Sequence, residues 1–185
     1  MSESLPRPGS KFRVDLGELV GEFYQPNEFD KLGQFVPSDE ISTPASDLLC
    51  HEHHMTVTVE DYHGGPVSVR VHRYHHRQHW YLREITLHLE SDGSPVQYGI
   101  VRFDTTTVST AVWQRIESRS IPLGRVLINH DVHRRVELCR LWTIDPGPSL
   151  RTLLRLETDA PIHGRTALIH CNGRPAIELL EVVTV

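Results

Sequence analysis

The chain has 185 residues, 38% hydrophobic and 23% charged, the proportions of an ordinary globular protein long enough to bury one core without metal or disulfide staples. A formal net charge of −5 argues against work on phosphate backbones, which leaves a basic footprint, so nucleic acid is not an expected partner. No run reaches the roughly 18 apolar residues of a membrane helix, the start from Met1 to Arg13 has no signal-peptide core, and Cys50, Cys139 and Cys171 form no CxxC pair; the expectation is a cytoplasmic protein with core thiols.

The first 45 or so residues mix Pro, Ser and acidic groups around a weak amphipathic stretch, Phe12, Leu16, Leu19, Val20 and Phe23, a short helix or an extended packing arm. Residues 1–45 are therefore expected to be an N-terminal extension, with one domain over 46–185. Thr43-Pro44 reads as an N-cap with proline at the first helical position, opening a short helix through Leu49. Four β-rich segments follow, Met55 to Asp61, Val67 to His76, His79 to Glu90 and Pro95 to Asp104, with the Gly-rich and Asp-Gly breaks of antiparallel hairpins. Val112, Arg115 and Ile116 recur at helical spacing over Thr110 to Ser118, before the stop at Pro122. Val136 to Ile144 reads as a strand and Pro148 to Leu154 as a helical turn. Thr166 to Cys171 and Ala176 to Val185 form a hairpin across Asn172-Gly173. About seven strands with three or four helices, and no βαβ rhythm, predict an α+β fold: an antiparallel β-sheet with helices packed on it.

Three charges fall in the apolar register of their strands, where side chains alternate between faces. Arg83 shares a face with Tyr81, Ile85, Leu87 and Leu89, and Arg140 with Val136, Leu138, Trp142 and Ile144. Glu181 shares one with Ile177, Leu179, Val183 and Val185, whereas Glu178 falls on the other. An inward charge needs a partner or a wet pocket, because desolvating it unpaired costs several kcal/mol. Two readings satisfy that rule: an internal Arg-Glu ion pair, or a site for a charged small molecule.

Three segments in order resemble the chorismate pyruvate-lyase family and its relatives, which include ligand-sensing domains of bacterial regulators. They are Leu48-Leu49 through His54-Met55-Thr56, then Tyr81-Leu82-Arg83-Glu84-Ile85, and Ile121-Pro122-Leu123-Gly124-Arg125-Val126-Leu127 with the closing Gly173-Arg174-Pro175 to Glu181 strand. The resemblance implies a chorismate lyase-like fold over about residues 46–185. It also implies a ring carboxylate held by Arg83, helped by backbone near Met55 and Leu123, with Glu181 facing the ring oxygen. Chorismate becomes aromatic on losing its enolpyruvyl group and one ring proton, so a positioned carboxylate in a dry pocket suffices and no metal or organic cofactor is implied. The implied function is conversion of chorismate to 4-hydroxybenzoate, or a related hydroxybenzoate, and pyruvate. The alternative is a non-catalytic binding or accessory protein for an aromatic acid or its thioester. The regulators carry a DNA-reading helix-turn-helix ahead of this domain, for which the first 45 residues leave little room.

Thirteen histidines raise a metal reading, but no HExxH helix and no ligand-spaced carboxylate accompany them, so surface histidines are expected. His54 is the exception: beside Met55 at the expected pocket edge, it is placed to contact the ligand or to give the pocket a pH response near its own pKa. Arg140 is held in reserve as a further ligand contact.

Overall fold

A computed structural model describes residues 14–185; Phe12 and the polar start from Met1 to Arg13 lie outside them. From Val14 on, the N-terminal segment supplies helix α1 (Leu16–Gly21), capped by the Asp15 carboxylate on the Glu18 N–H, then α2 (Phe29–Leu32) and strand β1 (Gly33–Ser38). It is thus built into the same sheet as the remainder. The chain continues through α3 (Ala45–Leu49), α4 (Met55–His63), β2 (Val67–Arg77), β3 (Trp80–Leu89), β4 (Pro95–Asp104), α5 (Thr110–Glu117), α6 (Leu123–Asn129), β5 (Arg134–Pro146), α7 (Pro148–Leu154), β6 (Ile162–Cys171) and β7 (Arg174–Val183). The strands pair antiparallel in the order β1-β5-β6-β7-β4-β3-β2. This is the expected α+β class, an antiparallel sheet with helices on it.

Alternation along the central strands gives the sheet two buried faces. Tyr98, Ile100, Leu168, Leu180 and Val182 pack under Leu19 and Val20 of α1 and Leu150 and Leu154 of α7. On the other face lie two apolar clusters. In one, Tyr81, Val101, Phe103 and Leu179 meet Val112 and Ile116 of α5 and Leu123, Val126 and Leu127 of α6. In the other, Ile85, Leu87 and Val183 meet Leu48 and Leu49 of α3 and Met55 and Val59 of α4. The functional site forms where these two clusters adjoin.

Two differences from the sequence reading matter for that site. Met55-Thr-Val-Thr-Val59, expected as a strand on its β-branched alternation, is the first half of α4. Tertiary contacts override its propensity: Met55, Thr56 and Val59 turn one helical face to the core, and Gly64 ends the helix with a left-handed φ of 71° that suits glycine. The helix expected over Thr110 to Ser118 does end before Pro122, but Pro122 then opens a helix the sequence reading did not assign, as the N-cap of α6. Arg140 is exposed rather than inward, its guanidinium 5.9 Å from the Trp142 ring. The register of β5 against β6 shifts between Leu138 and Arg140, and one extra residue reverses the parity of everything beyond it. Cys50, expected in the core, is exposed, whereas Cys171 is buried.

Candidate functional site

The start of α4, the start of α6 and the middle of the sheet enclose a cavity of about 50 Å³ lined by His54, Met55, Leu123, Arg83 and Glu181 among others. The same cavity therefore receives five of the six side chains singled out from sequence; Arg140 lies elsewhere. Its walls are mostly apolar, with Ile85, Val101, Val136, Ile169 and Leu179 prominent. It has room for a few waters, and is smaller than the roughly 150 Å³ that houses a benzene ring in an engineered protein core. A ring-sized guest therefore needs more room than the cavity has in this structure.

Arg83 and Glu181 do not pair. Arg83 sits on β3 opposite Val101 of β4, and Glu181 on β7 opposite Gly99 of β4, so one strand separates them and, with the two-residue offset, their backbones stand roughly 12 Å apart. Glu181 is taken instead by Arg165, its cross-strand neighbour on β6, whose Nε donates to Oε2 at 2.7 Å. Arg165 also donates Nη1 to the carbonyls of Leu49 and His51, at 3.3 and 2.7 Å, and Nη2 to that of His53 at 3.3 Å. Its buried guanidinium thus fastens the α3–α4 connection, and with it the cavity's rim, to the sheet. Sequence reasoning missed Arg165 because the strand was started at Thr166; carried one residue back, the register of Ala167, Ile169 and Cys171 would have flagged it.

Arg83 has no such partner. It is 1% exposed, yet Nε and Nη1 make no hydrogen bond. Burial pulls its pKa down, opposed by the Tyr81 phenol close beside it; the phenol oxygen, itself buried, makes no hydrogen bond of ordinary geometry, so its contact with Arg83 is a weak one. Among the described residues no carboxylate forms an ion pair with Arg83. The amide oxygen of Gln97, in the same cavity, is also buried without a donor.

The two helix starts approach closely: a Cβ on Gly124 would stand 3.0 Å from Thr56 Oγ1 and 3.3 Å from His54 Nδ1, a tight fit that needs those side chains to give by a few tenths of an ångström. Outside the cavity, Arg125 of α6 ties to Glu60 of α4. Neither helix has a side-chain N-cap hydrogen bond, His54 and Pro122 being the cap residues. The first N–H groups of a helix have no intrahelical acceptor, and Met55, Thr56, Leu123 and Gly124, which open the two helices, all line the cavity with Arg83.

His54 is held neutral. Burial first, then the nearby Arg134 and Arg165 charges, push its pKa down to about 4. Arg134 Nε donates to His54 Nε2 at 2.6 Å, which assigns the ring proton to Nδ1. The expected response near an ordinary histidine pKa is therefore displaced to acid. Of the other histidines, His51 is likewise pushed down to about 4, chiefly by burial, and no group of three or more metal-ligating side chains gathers among the described residues. Glu178, the carboxylate set aside by register, lies on the opposite face with Arg102, which donates to it at 2.6 Å.

No protein-family model and no curated protein matches the chain. Among solved structures it is similar to gene product SA0254 of Staphylococcus aureus, at 9% identity over 74% of this chain and 90% of that one, with a TM-score of 0.51. A possible transcriptional regulator, YydK of Bacillus subtilis, matches at 11% identity and TM-score 0.46, over 64% of this chain and 58% of that regulator's length. The ligand-binding domain of a putative GntR-family regulator from Bordetella bronchiseptica matches at 12% and 0.45, over 64% and 85%. At these identities the likeness is one of fold, and the lyase resemblance rests on the three sequence segments.

Proposed function

We propose that this chain binds a small aromatic carboxylic acid, with Arg83 as the carboxylate anchor. One observation carries the reading: a fully buried guanidinium with two nitrogens unpartnered, an arrangement that costs several kcal/mol in the empty protein. A carboxylate removes that cost through two parallel charge-assisted N–H bonds. The N–H groups at the α4 start offer further donors to the same anion. Beyond it the walls are apolar, and the Glu181–Arg165 pair and Gln97 offer polar contacts at the far side, which suits a ring with polar groups at opposite ends.

The test is a thermal-shift titration with 4-hydroxybenzoate. At about a hundredfold excess over Kd the linkage is about 2.7 kcal/mol, a rise of roughly 5 °C or more for a chain of this size. No shift at saturating acid would contradict the reading.

A second reading, a chorismate pyruvate-lyase, is favoured by the presence of Glu181 in the same cavity as Arg83. Arg83 would hold the ring carboxylate and Glu181 would act at the ring proton as the enolpyruvyl group leaves as pyruvate. Glu181 is already engaged through Oε2, so this role competes with its ion pair. Pyruvate release from chorismate, lost in Glu181→Gln, is the expected outcome; no release leaves binding as the function.

A further inference from the structure

Strand β2 forms one edge of the sheet: along its 11 residues it pairs with β3 alone, and among the described residues no second strand covers its outer side. None of its residues lines the cavity. The opposite edge, β1, is only 6 residues long and contains Pro37, which has no N–H to offer a further strand. The register sorts the side chains of β2 into two unlike rows. Val67, Val69, Val71, Tyr74 and His76 share a face with Ile85 and Tyr81, on the side of α4 and α5. Arg70, Arg73, His75 and Arg77 share the other face with Glu84 and Thr86, on the side of α1. The register shift between Val71 and Arg73 adds His72 to this second row, where its Nε2 meets Thr86 Oγ1 at 2.8 Å. From Arg70 to Arg77 the row is therefore wholly basic, and β2 contains no acidic residue.

Acids reach this face only behind the strand. Glu84 on β3 takes Arg73, and Glu22 at the end of α1 takes Arg77 and, at 3.5 Å, His75. Further in, Arg102 lies between Glu18 and Glu178. The exposed Glu90 stands opposite Pro66, before the basic row begins. The face as a whole thus has no large excess of charge; its charges are sorted, with bases on the open edge and acids inboard. We propose that β2 is a docking edge for an extended segment of a partner protein in which acidic and apolar residues alternate. Such a segment adds as a further strand, its backbone pairing with the outer N–H and C=O groups of β2. Its acids stand about 5 Å across the new ladder from Arg70, Arg73 and Arg77, and its apolar residues extend the row of Val69, Val71 and the exposed Tyr74. Two nearer occupants fit worse. A second copy of β2 sets arginine and histidine against arginine and histidine, and like charges directly opposite weaken a ladder. The chain's own first 13 residues hold one acid, Glu3, against Arg7, Lys11 and Arg13.

The test uses the full chain and a dye-labelled peptide of about nine residues in which glutamate and valine alternate, a length within the usual range of strands. Fluorescence anisotropy reads the affinity, and amide hydrogen exchange reads where the peptide lies. The controls are a peptide of the same composition with its glutamates grouped at one end, the alternating peptide with a central proline, one with lysine for glutamate, and a single-stranded oligonucleotide. The alternating acidic peptide is expected to bind about tenfold tighter than any control, and to slow exchange along β2. Arg70→Glu combined with Arg77→Glu is expected to weaken that binding about tenfold. Equal binding of the grouped peptide, the proline peptide or the oligonucleotide shows a surface for polyanions only and overturns the proposal. A dimer whose β2 amides are protected without peptide assigns the edge to a second copy and overturns it too, as does no binding of the alternating peptide. Should the double variant fold poorly, the comparisons on the wild-type chain decide alone.

Discussion

Arg83 and Glu84 are consecutive on β3, both nearly inaccessible at 1% and 2% exposure, and face opposite layers. Glu84 is fully provided for: Tyr24 and Tyr98 hydroxyls donate to Oε1 at 2.6 and 2.7 Å, and Arg73 Nε donates to Oε2 at 2.6 Å. Burial pushes its pKa up, but these bonds outweigh that and hold it below the usual carboxylate range. Arg83, with the same burial, has two nitrogens that make no hydrogen bond and only a weak contact with the neighbouring Tyr81 phenol, in a cavity. Glu84 is closed on itself within the fold, whereas Arg83 is a buried charge left open, and the proposed binding role rests on that difference.

Substitutions sharpen the contrast. The largest effect is expected at Glu84. Glu84→Leu strands two buried phenols and frees Arg73, and urea unfolding should show a loss of about 3 to 4 kcal/mol. Glu181→Leu should lose about 3 kcal/mol, because Arg165 is then buried unpaired. Arg83→Met should move the other way, stabilising the ligand-free protein by about 1 to 3 kcal/mol while abolishing acid binding. If Arg83→Met destabilised as much as Glu84→Leu, the contrast would fail.

The smallest effect concerns pH. His54 and His51 have folded pKa values near 4, below the ordinary 6.5, so the unfolded chain takes up protons first. Their contribution is complete above about pH 6.5 and is lost as pH falls toward 4. After discounting for partial exposure, the loss attributable to His54 is on the order of 2 kcal/mol, and His54→Asn should flatten that limb of a stability-against-pH curve. Acid binding should not change between pH 8 and about 6 on His54's account, since the ring is neutral throughout.

Much of the sheet was legible because its strands carry strong alternation and their turns carry glycine: β4 and α7 begin and end where the sequence patterns put them. The same alternation marked Arg83 and Glu181 as inward. It failed where one residue was inserted, at the β5 bulge that turned Arg140 outward, and where β-branched residues were packed into a helix, at Met55–His63. There His63-Gly64 was the overlooked signal, a helix C-cap rather than a hairpin break. β1, with Pro37 and little burial, has too weak a pattern to read. Side-chain pairing was the least legible level. Register says that Glu181 points inward, but only the β6–β7 pairing says that Arg165, and not Arg83, is its partner.

The most direct test of the account is a side-by-side thermal titration of wild type and Arg83→Met with 4-hydroxybenzoate. The predicted result is a ligand-dependent rise in the wild type alone, with Arg83→Met melting higher than the wild type before any acid is added. A variant that melts lower without ligand and still responds to the acid would contradict it.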